Sequence, residues 1–574
     1  GYGSGKKLGS MVGSVSVVGS EALENVTTPS FLDALQGKVA GLSIMSDSGD
    51  PSSTENQVRM RGVNSLNSSV TPLFILDGAP ITQTVFSTLN PSDIESITVL
   101  KDAASVAIYG SRAANGVIVI TSKKGKYAEK ATVSIRAKYG WSQMTSDKTE
   151  MMNSAQYIQY RDLIGQPVGD DQRAAWEKYG IDTDWRAETF NGHAPTYSLD
   201  ASVTGGSEAS NYYLSLNHLD QDGIIEQSQM RRDALRVSVS SRAANWLRVG
   251  FNANLGYTKY EQNNESNAIY DGDGIYTANP MVFARRAMPM DSPNYYTIGE
   301  DGNIIWGEKA LFLHYTGMPT PHYFNQQRSV WNNRVTINAN IFEEITPING
   351  LTLRAQQAVD AYDQRREVYN YANEPLYTPM GDTYGTDDVN SSGVIEGSAG
   401  QSFGRYYQFT YTNTAEYRFK INNIHNITLL AGEESIISKS NSFGVSSSGQ
   451  SDRRLPLLQQ GDASTFSGSH SISQLAMNSF FFSGSYNYED KYFVDANFRT
   501  DGSSRFAPGH RWAQFWSAGV MWDLKQENFL KKLTWFNKAR LRVSYGTTGN
   551  SSFANYAYFG LVGSGRGYNG ESSL

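Results

Sequence analysis

From Leu247 to Thr258 the chain alternates without a break, with Leu247, Val249, Phe251, Ala253, Leu255 and Tyr257 on one parity and Arg248, Gly250, Asn252, Asn254, Gly256 and Thr258 on the other. Successive side chains of a strand point to opposite faces, so this run has one apolar face and one polar or small face. A dozen such residues are enough to cross a bilayer as a tilted strand, which takes about 9–11. The pattern returns at Val335, Ile337, Ala339 and Ile341, along Tyr407 to Phe419 and Ile427 to Ala431, at Tyr492, Val494, Ala496 and Phe498, and at Leu541, Val543 and Tyr545. The opposite faces carry Asn, Thr, Arg and Gln. Hydrocarbon would not accept them, since Arg or Lys at the bilayer midplane costs roughly 2–4 kcal/mol. One face therefore suits lipid and the other a wet lumen. A soluble sandwich also alternates, but its strands are usually about 5–6 residues long.

Composition narrows the choice. No apolar run reaches 18 residues in the 574-residue chain, so no transmembrane helix is expected. A β-barrel remains the one way to span a membrane, because closure pairs every backbone group. There is no Cys, which excludes disulfides and thiolate metal sites. The seven His include no His-Glu-x-x-His, which argues against a catalytic zinc centre. A net charge of −7 argues against a nucleic-acid partner. Asp271 and Asp273, in Tyr-Asp-Gly-Asp-Gly, could give oxygens to Ca²⁺; the remaining EF-hand positions are lacking, and a simple turn is the better reading. The glycine-rich start, Gly1 to Lys7, lacks Walker spacing. The abrupt opening at Gly1-Tyr2-Gly3 without a signal peptide reads as a mature or trimmed piece.

Residues 1–126 read differently from the rest. Leu32, Leu35, Val39 and Leu42 have helical spacing within 29–45. Strands are expected at Gln57–Arg61, at Pro72–Leu76 closed by the turn pair Asp77-Gly78, at Ser96–Leu100, and at Gly116–Thr121. Asn90-Pro91 marks a helix start, and Lys101–Tyr109 an Ala-rich helix ended by Gly110. This is a compact α+β module of 126 residues, followed by a wall of strands over 127–574.

The motifs DALQGKVAGL (33–42), RMRGVNSL (59–66), PLFILDGAPI (72–81) and LKDAASVAIYGSRAANGVIVITSKKG within 89–126 occur in one order. In that order the chain resembles the SusC-like branch of TonB-dependent outer-membrane transporters. Thr183-Asp184-Trp185, SVTGGSEASNYYLSLNHLDQDGII (202–225), RTDGSSRFAPG (499–509) and RVSYGTTGN (542–550) extend the likeness along the later part. The resemblance implies an α+β plug domain inside a large antiparallel transmembrane β-barrel. Arg61, Gly62, Asp77, Gly78, Lys101, Asp102, Tyr109, Gly110, Arg112 and Gly116 are its plug-motif residues, with gating and structural roles. Gly110 and Gly116 suit tight turns or close backbone approach. Arg61, Lys101 and Arg112 could pair with carboxylates of the inner wall, holding the plug without locking it. No catalytic residue and no cofactor is implied. The implied partners are a SusD-like surface lipoprotein, TonB, outer-membrane lipid, and a glycan or oligopeptide substrate. The implied location is the outer membrane of a Gram-negative bacterium of the Bacteroidetes. Residues 1–10 would lie just downstream of the Ton box.

About 13 spanning strands can be counted, against about 22 in plugged transporters, so an incomplete wall is expected. Segments 259–331 and 362–402 are expected as external loops, with loop helices at 150–164 and 171–179. Trp306, Tyr315, Tyr323 and Trp331 would sit in those loops, able to stack on sugars but equally suited to an interfacial girdle or a loop core. The function expected is TonB-dependent import of an oligosaccharide or oligopeptide. The competing readings are a secreted β-rich glycoside hydrolase and a passive outer-membrane receptor or adhesin.

Overall fold

The computed structural model describes residues 12–24, 35–45, 51, 57–60, 62, 69–145, 149–262, 268–271, 274–277, 280–315, 317, 319–372, 376–377, 383–384, 396–531, 535, 537–559, 566–568 and 571–573. The short apolar runs near the N-terminus form a buried sheet. Its strands are β1 (Val15–Gly19), β4 (Leu73–Leu76), β5 (Ala79–Ile81), β6 (Ile94–Leu100) and β7 (Val117–Ser122), in the order β1-β6-β7-β4-β5. Only β4 and β7 run parallel. A separate pair, β2 (Leu42–Met45) with β3 (Gln57–Met60), covers one side. Phe74, Leu76, Phe86, Ile97, Val99, Ile118 and Ile120 meet Leu35, Val39 and Met60 in one core. The rings of Phe74 and Phe86 stack at 4.3 Å.

Local chemistry explains the punctuation. Asn90 caps the 3-10 helix Pro91–Asp93 by accepting from the Ser92 N–H at 3.2 Å. In place of the helix expected over 101–109 stand an α-turn at Ala103–Val106 and 3-10 turns over Ala107–Arg112, the latter kinked at Gly110, where φ is 63° and ψ −136°. Of the helix expected within 29–45, only a turn at 35–41 falls among the described residues; it carries Gly37 and Gly41 at positive φ before β2 begins.

The wall is a thirteen-stranded sheet in which every neighbour is antiparallel. Its strands are β8 (Thr132–Ser142), β9 (Ala194–Gly206), β10 (Ser210–Asp222), β11 (Gln229–Ala244), β12 (Leu247–Glu261), β17 (Arg328–Ile348), β18 (Leu351–Asn370), β21 (Gly397–Ile421), β22 (His425–Gln450), β23 (Ser467–Tyr488), β24 (Tyr492–Ser503), β25 (Trp512–Asp523) and β26 (Arg540–Gly546). Small hairpins fill the numbering: β13–β14 (Ala268–Asp271, Gly274–Thr277), β15–β16 (Asn294–Ile298, Ile304–Lys309), β19–β20 (Leu376–Tyr377, Thr383–Tyr384) and β27–β28 (Arg566–Tyr568, Glu571–Ser573). Among the described residues the wall is open: β8 and β26 are its edges and do not pair with each other.

Burial along the wall is inverted relative to a water-soluble sheet. Phe251, Leu255, Val335, Ile337 and Ile341 are exposed, whereas Asn252, Thr258, Thr336, Asn338 and Asn340 are buried. The polar parity thus faces inward and the apolar parity outward, the arrangement that barrels present to hydrocarbon.

The wall strands are longer than alternation alone indicates. β22 has 26 residues, about 85 Å at roughly 3.3 Å per residue, while a strand tilted about 45° needs only about 42 Å to cross a hydrocarbon layer of about 30 Å. The expected loops 259–331 and 362–402 shrink accordingly to 262–327 and 371–396. Beyond the membrane both faces meet water, so the backbone ladder continues without the hydrophobic alternation that marks it. Trp331 lies in β17 rather than in a loop, with the Lys259 ammonium 4.0 Å from its ring centroid.

Five connections at one end are short, at 207–209, 245–246, 349–350, 422–424 and 489–491, with the longer 524–539 beside them, while 143–193 and 262–327 lie at the other. These two long loops pack into a lobe. Trp185 meets Phe283 edge-on at 5.3 Å beside Ala287 and Leu313, and Ile158 and Val168 meet Met290. The expected loop helices are Ser154–Leu163 and Asp170–Tyr179. Tyr323 is core of this region, against Phe312 at 5.0 Å; Trp306 is exposed on β16.

Candidate functional site at the plug and wall interface

The Asp77-Gly78 turn between β4 and β5 has both residues at positive φ, 48° and 94°, as a tight hairpin turn requires. It thereby delivers the Asp77 carboxylate to the wall. That carboxylate accepts from the Ser122 N–H at 3.1 Å and from the Ser122 hydroxyl, and pairs with Arg236 of β11 at 3.3 Å and Lys124 at 3.9 Å. Arg236 is itself buried, donating to Asn254 Oδ1 at 2.7 Å and to the Ser122 hydroxyl. Burial works to raise the Asp77 pKa; Lys124, Arg236 and the two Ser122 hydrogen bonds outweigh it and hold the carboxyl below its ordinary range. Gln356 of β18 donates to the Asp77 carbonyl at 3.2 Å.

Asp93 is the plug's other buried carboxylate facing the wall. It accepts from Ser215 at 2.6 Å and Tyr213 at 2.8 Å, both on β10. Here burial wins over those bonds and pushes its pKa up. Further along, the Thr82 N–H donates to Asp360 at 2.9 Å, Asn90 to Asp200 at 2.7 Å, and the Thr88 hydroxyl lies 3.2 Å from that of Thr336.

A second ionic cluster forms around the 3-10 helix Ala107–Arg112. Arg112 donates to Glu434 of β22, which also accepts from Arg499 of β24 at 2.9 Å. Arg499, fully buried, pairs with Asp501 at 2.6 Å and donates to the Ile108 carbonyl at 2.9 Å. Asp501 accepts from the Ser111 N–H at 2.7 Å. A Cβ on Gly110 would overlap the Asp501 carboxylate and sit 2.7 Å from Arg499 Nε. Glycine is required there by space as well as by φ. Tyr109 packs among Leu100, Val106 and Val117 of the plug and Leu430 and Phe481 of the wall.

The remaining motif residues act inside the plug or fall elsewhere. Lys101 donates to Ser16 at 2.7 Å and the Ala40 carbonyl at 2.6 Å, which ties β1 to the β2 segment; these contacts are with the plug itself. Asp102 accepts from the Ser14 N–H at 2.6 Å and caps the turn at Ser105. Gly116, at φ 87°, lies beneath Met60, where an added Cβ would also come within 3.1 Å of the Leu100 carbonyl. Gly62 is exposed at φ 95°. Arg61 and Asp273 lie outside the described residues; Asp271 ends β13. Among the described residues no cluster of His, Asp and Glu has metal-binding geometry.

Sequence reading missed the wall's half of the site: Arg236, Glu434, Arg499, Asp501 and Asp360. Arg499 and Asp501 lie within the RTDGSSRFAPG run. All five share the inward parity of their strands, and a charge on that parity was the available signal.

A plug held inside an inward-polar β-wall defines the class of TonB-dependent receptors. Residues 7–117 match the TonB-dependent Receptor Plug Domain. Receptor P26 of Formosa agariphila is 28% identical over 98% of this chain and 54% of its own length, and receptor SusC of Bacteroides thetaiotaomicron 29% identical over 98% and 54%. The RagAB peptide importer superposes with a TM-score of 0.83 at 33% identity, covering 100% of this chain and 63% of that one. Ferric citrate transporter FecA shares the fold, with a TM-score of 0.57 at 10% identity, over 95% of this chain and 64% of that one. Within the class, the chain is similar to the SusC-like receptors. It spans about half the length of the relatives it matches, at 54%.

Proposed function

We propose that this protein imports a nutrient across the outer membrane of a Gram-negative bacterium of the Bacteroidetes, energised by TonB. Residues 1–126 act as the gate and 127–574 as wall, with a SusD-like lipoprotein as lid. The observation that carries this reading is how the plug is held: two buried ionic clusters, around Asp77 and Arg236 and around Arg112, Glu434, Arg499 and Asp501, join it to the wall. Buried pairs fix geometry strongly while adding little net stability, so a pulled plug can release and re-seat. Substrate must then bias the plug between two states, since a ligand with equal affinity for both shifts nothing. The RagAB likeness supports an oligopeptide cargo; an oligosaccharide is the other candidate.

A cross-link tests the gate. These 574 residues hold no Cys; Thr88→Cys with Thr336→Cys, at hydroxyls 3.2 Å apart, would join plug and wall. In the full-length protein we expect oxidation to stop uptake, reduction to restore it, and substrate binding to persist throughout. Full-rate uptake with the cross-link complete would refute the gating reading.

A further inference from the structure

Thr336, opposite Thr88, marks the level of the plug on β17. One inward step toward the long-loop end, the register aligns Arg232, Thr258, Arg334 and Gln364 across β11, β12, β17 and β18. The next step aligns Gln221 of β10 with Met230, Tyr260, Asn332 and Arg366. These two rows form a shelf on the inner wall directly above the plug.

The shelf contains polar atoms that no described residue satisfies. Arg334 is 5% exposed; its Nη2 donates to Gln364 at 3.0 Å and its guanidinium stands 5.8 Å from the Tyr260 ring, but Nε and Nη1 have no hydrogen-bond partner among the described residues. Asn332 and Gln221, 6% and 7% exposed, each leave the side-chain carbonyl oxygen without a partner among the described residues. Buried polar groups in native proteins are nearly always paired, and a buried cation with idle donors is costly to keep. Three such groups in two adjacent rows form a prepared set: two guanidinium donors and two amide acceptors. Arg366, exposed in the upper row, marks the open side.

The complement of this set is a carboxylate with N–H groups beside it. A neutral sugar offers hydroxyls that need no cation, and a uronate brings a carboxylate without amides. We propose that Arg334, with Asn332 and Gln221, forms a subsite for the carboxylate of an oligopeptide cargo, the guanidinium taking the carboxylate and the two amide oxygens accepting backbone N–H groups. This rests on the import reading and narrows it to peptides that carry a carboxylate near one end or on a side chain.

The test is an equilibrium binding assay on the full-length protein in detergent, with retained ligand identified by mass spectrometry. The probes are octapeptides of matched length with a free or amidated C-terminus, each with or without an internal Glu, and an oligogalacturonate of similar length. Carboxylate-bearing peptides should be retained at least about tenfold better than the amidated, Glu-free one, the scale of a hydrogen bond to a charged group. Arg334→Gln should erase that preference, Arg334→Lys should keep part of it, and Asn332→Asp should reverse it by placing a negative charge on the shelf. Preference for the free C-terminus alone, or for internal Glu as well, identifies which carboxylate is read. Equal retention of neutral and anionic peptides, an unchanged preference in both Arg334→Gln and Asn332→Asp, or preference for the galacturonate overturns the proposal. No pulling is involved, so failure here leaves the gate intact, whereas failure of the Thr88–Thr336 cross-link counts against import itself.

Discussion

Gly110→Ala should loosen the plug locally. The residue sits at φ 63° and ψ −136°, a conformation that costs a non-glycine residue about 1–3 kcal/mol. The added methyl would also overlap Asp501, displacing a carboxylate that binds Arg499 at 2.6 Å and the Ser111 N–H at 2.7 Å. Disrupting one partner of a buried ion pair costs about 3–5 kcal/mol. Since strain and displacement share the same atoms they will not add fully, and a local loss of about 4 kcal/mol is a fair expectation. At about 1.4 kcal/mol per tenfold, amide exchange in the Ile108–Ala113 segment should rise by roughly a thousandfold. Gly62→Ala is the control: φ is 95° there, but no described residue lies within 4 Å of the added Cβ, so the strain of about 1–3 kcal/mol is the expected cost. Hydrogen exchange read by mass spectrometry gives both values on the folded protein. Unchanged protection of Ile108–Ala113 in Gly110→Ala would refute the claim that the Arg499–Asp501 pair holds this edge of the plug.

Two further outcomes follow from the wall and the loop lobe. Ile337 faces outward in β17, so Ile337→Arg should cost about 2–4 kcal/mol if that face meets the bilayer core; heat-modifiable migration after membrane assembly measures it, and unimpaired assembly would count against a lipid-facing surface. Asp291, buried in the lobe and bonded by the Tyr315 N–H at 2.9 Å, has its pKa pushed up to about 6 by burial. Its folded pKa exceeds the unfolded value of about 3.9, so the lobe should be most stable below about pH 4 and lose about 3 kcal/mol as pH rises through about 6. Proteolysis of the lobe across this range should show that slope, and Asp291→Asn should flatten it.

Much of the architecture was legible because its signals are local. The alternation at 247–258 and its repeats record a two-sided environment residue by residue, and thirteen strands both count and pair. Asp77-Gly78 and Asn90-Pro91 announce their turns through backbone preference. Strand ends were not legible, because residues such as Arg365, Arg366 and Glu367, past the bilayer, carry no alternation while remaining in the ladder. The motif residues could be named, but their partners could not: Arg112 meets Glu434 across 322 positions, and the Ser111 N–H meets Asp501 across 390. Lys101, a charge that could have paired with the wall, donates to Ser16 and to the Ala40 carbonyl within the plug.

The sequence by itself determined that this chain builds an α+β plug followed by long strands polar on one face and apolar on the other. Periodicity and turn chemistry are written in neighbouring residues, and no distant contact is needed to read them. Only the tertiary structure decided which inward-facing charges grip the plug and which polar groups are left idle above it. Register between strands sets those meetings, and a shift of one residue would turn Arg334, Glu434 and Arg499 to the outer face.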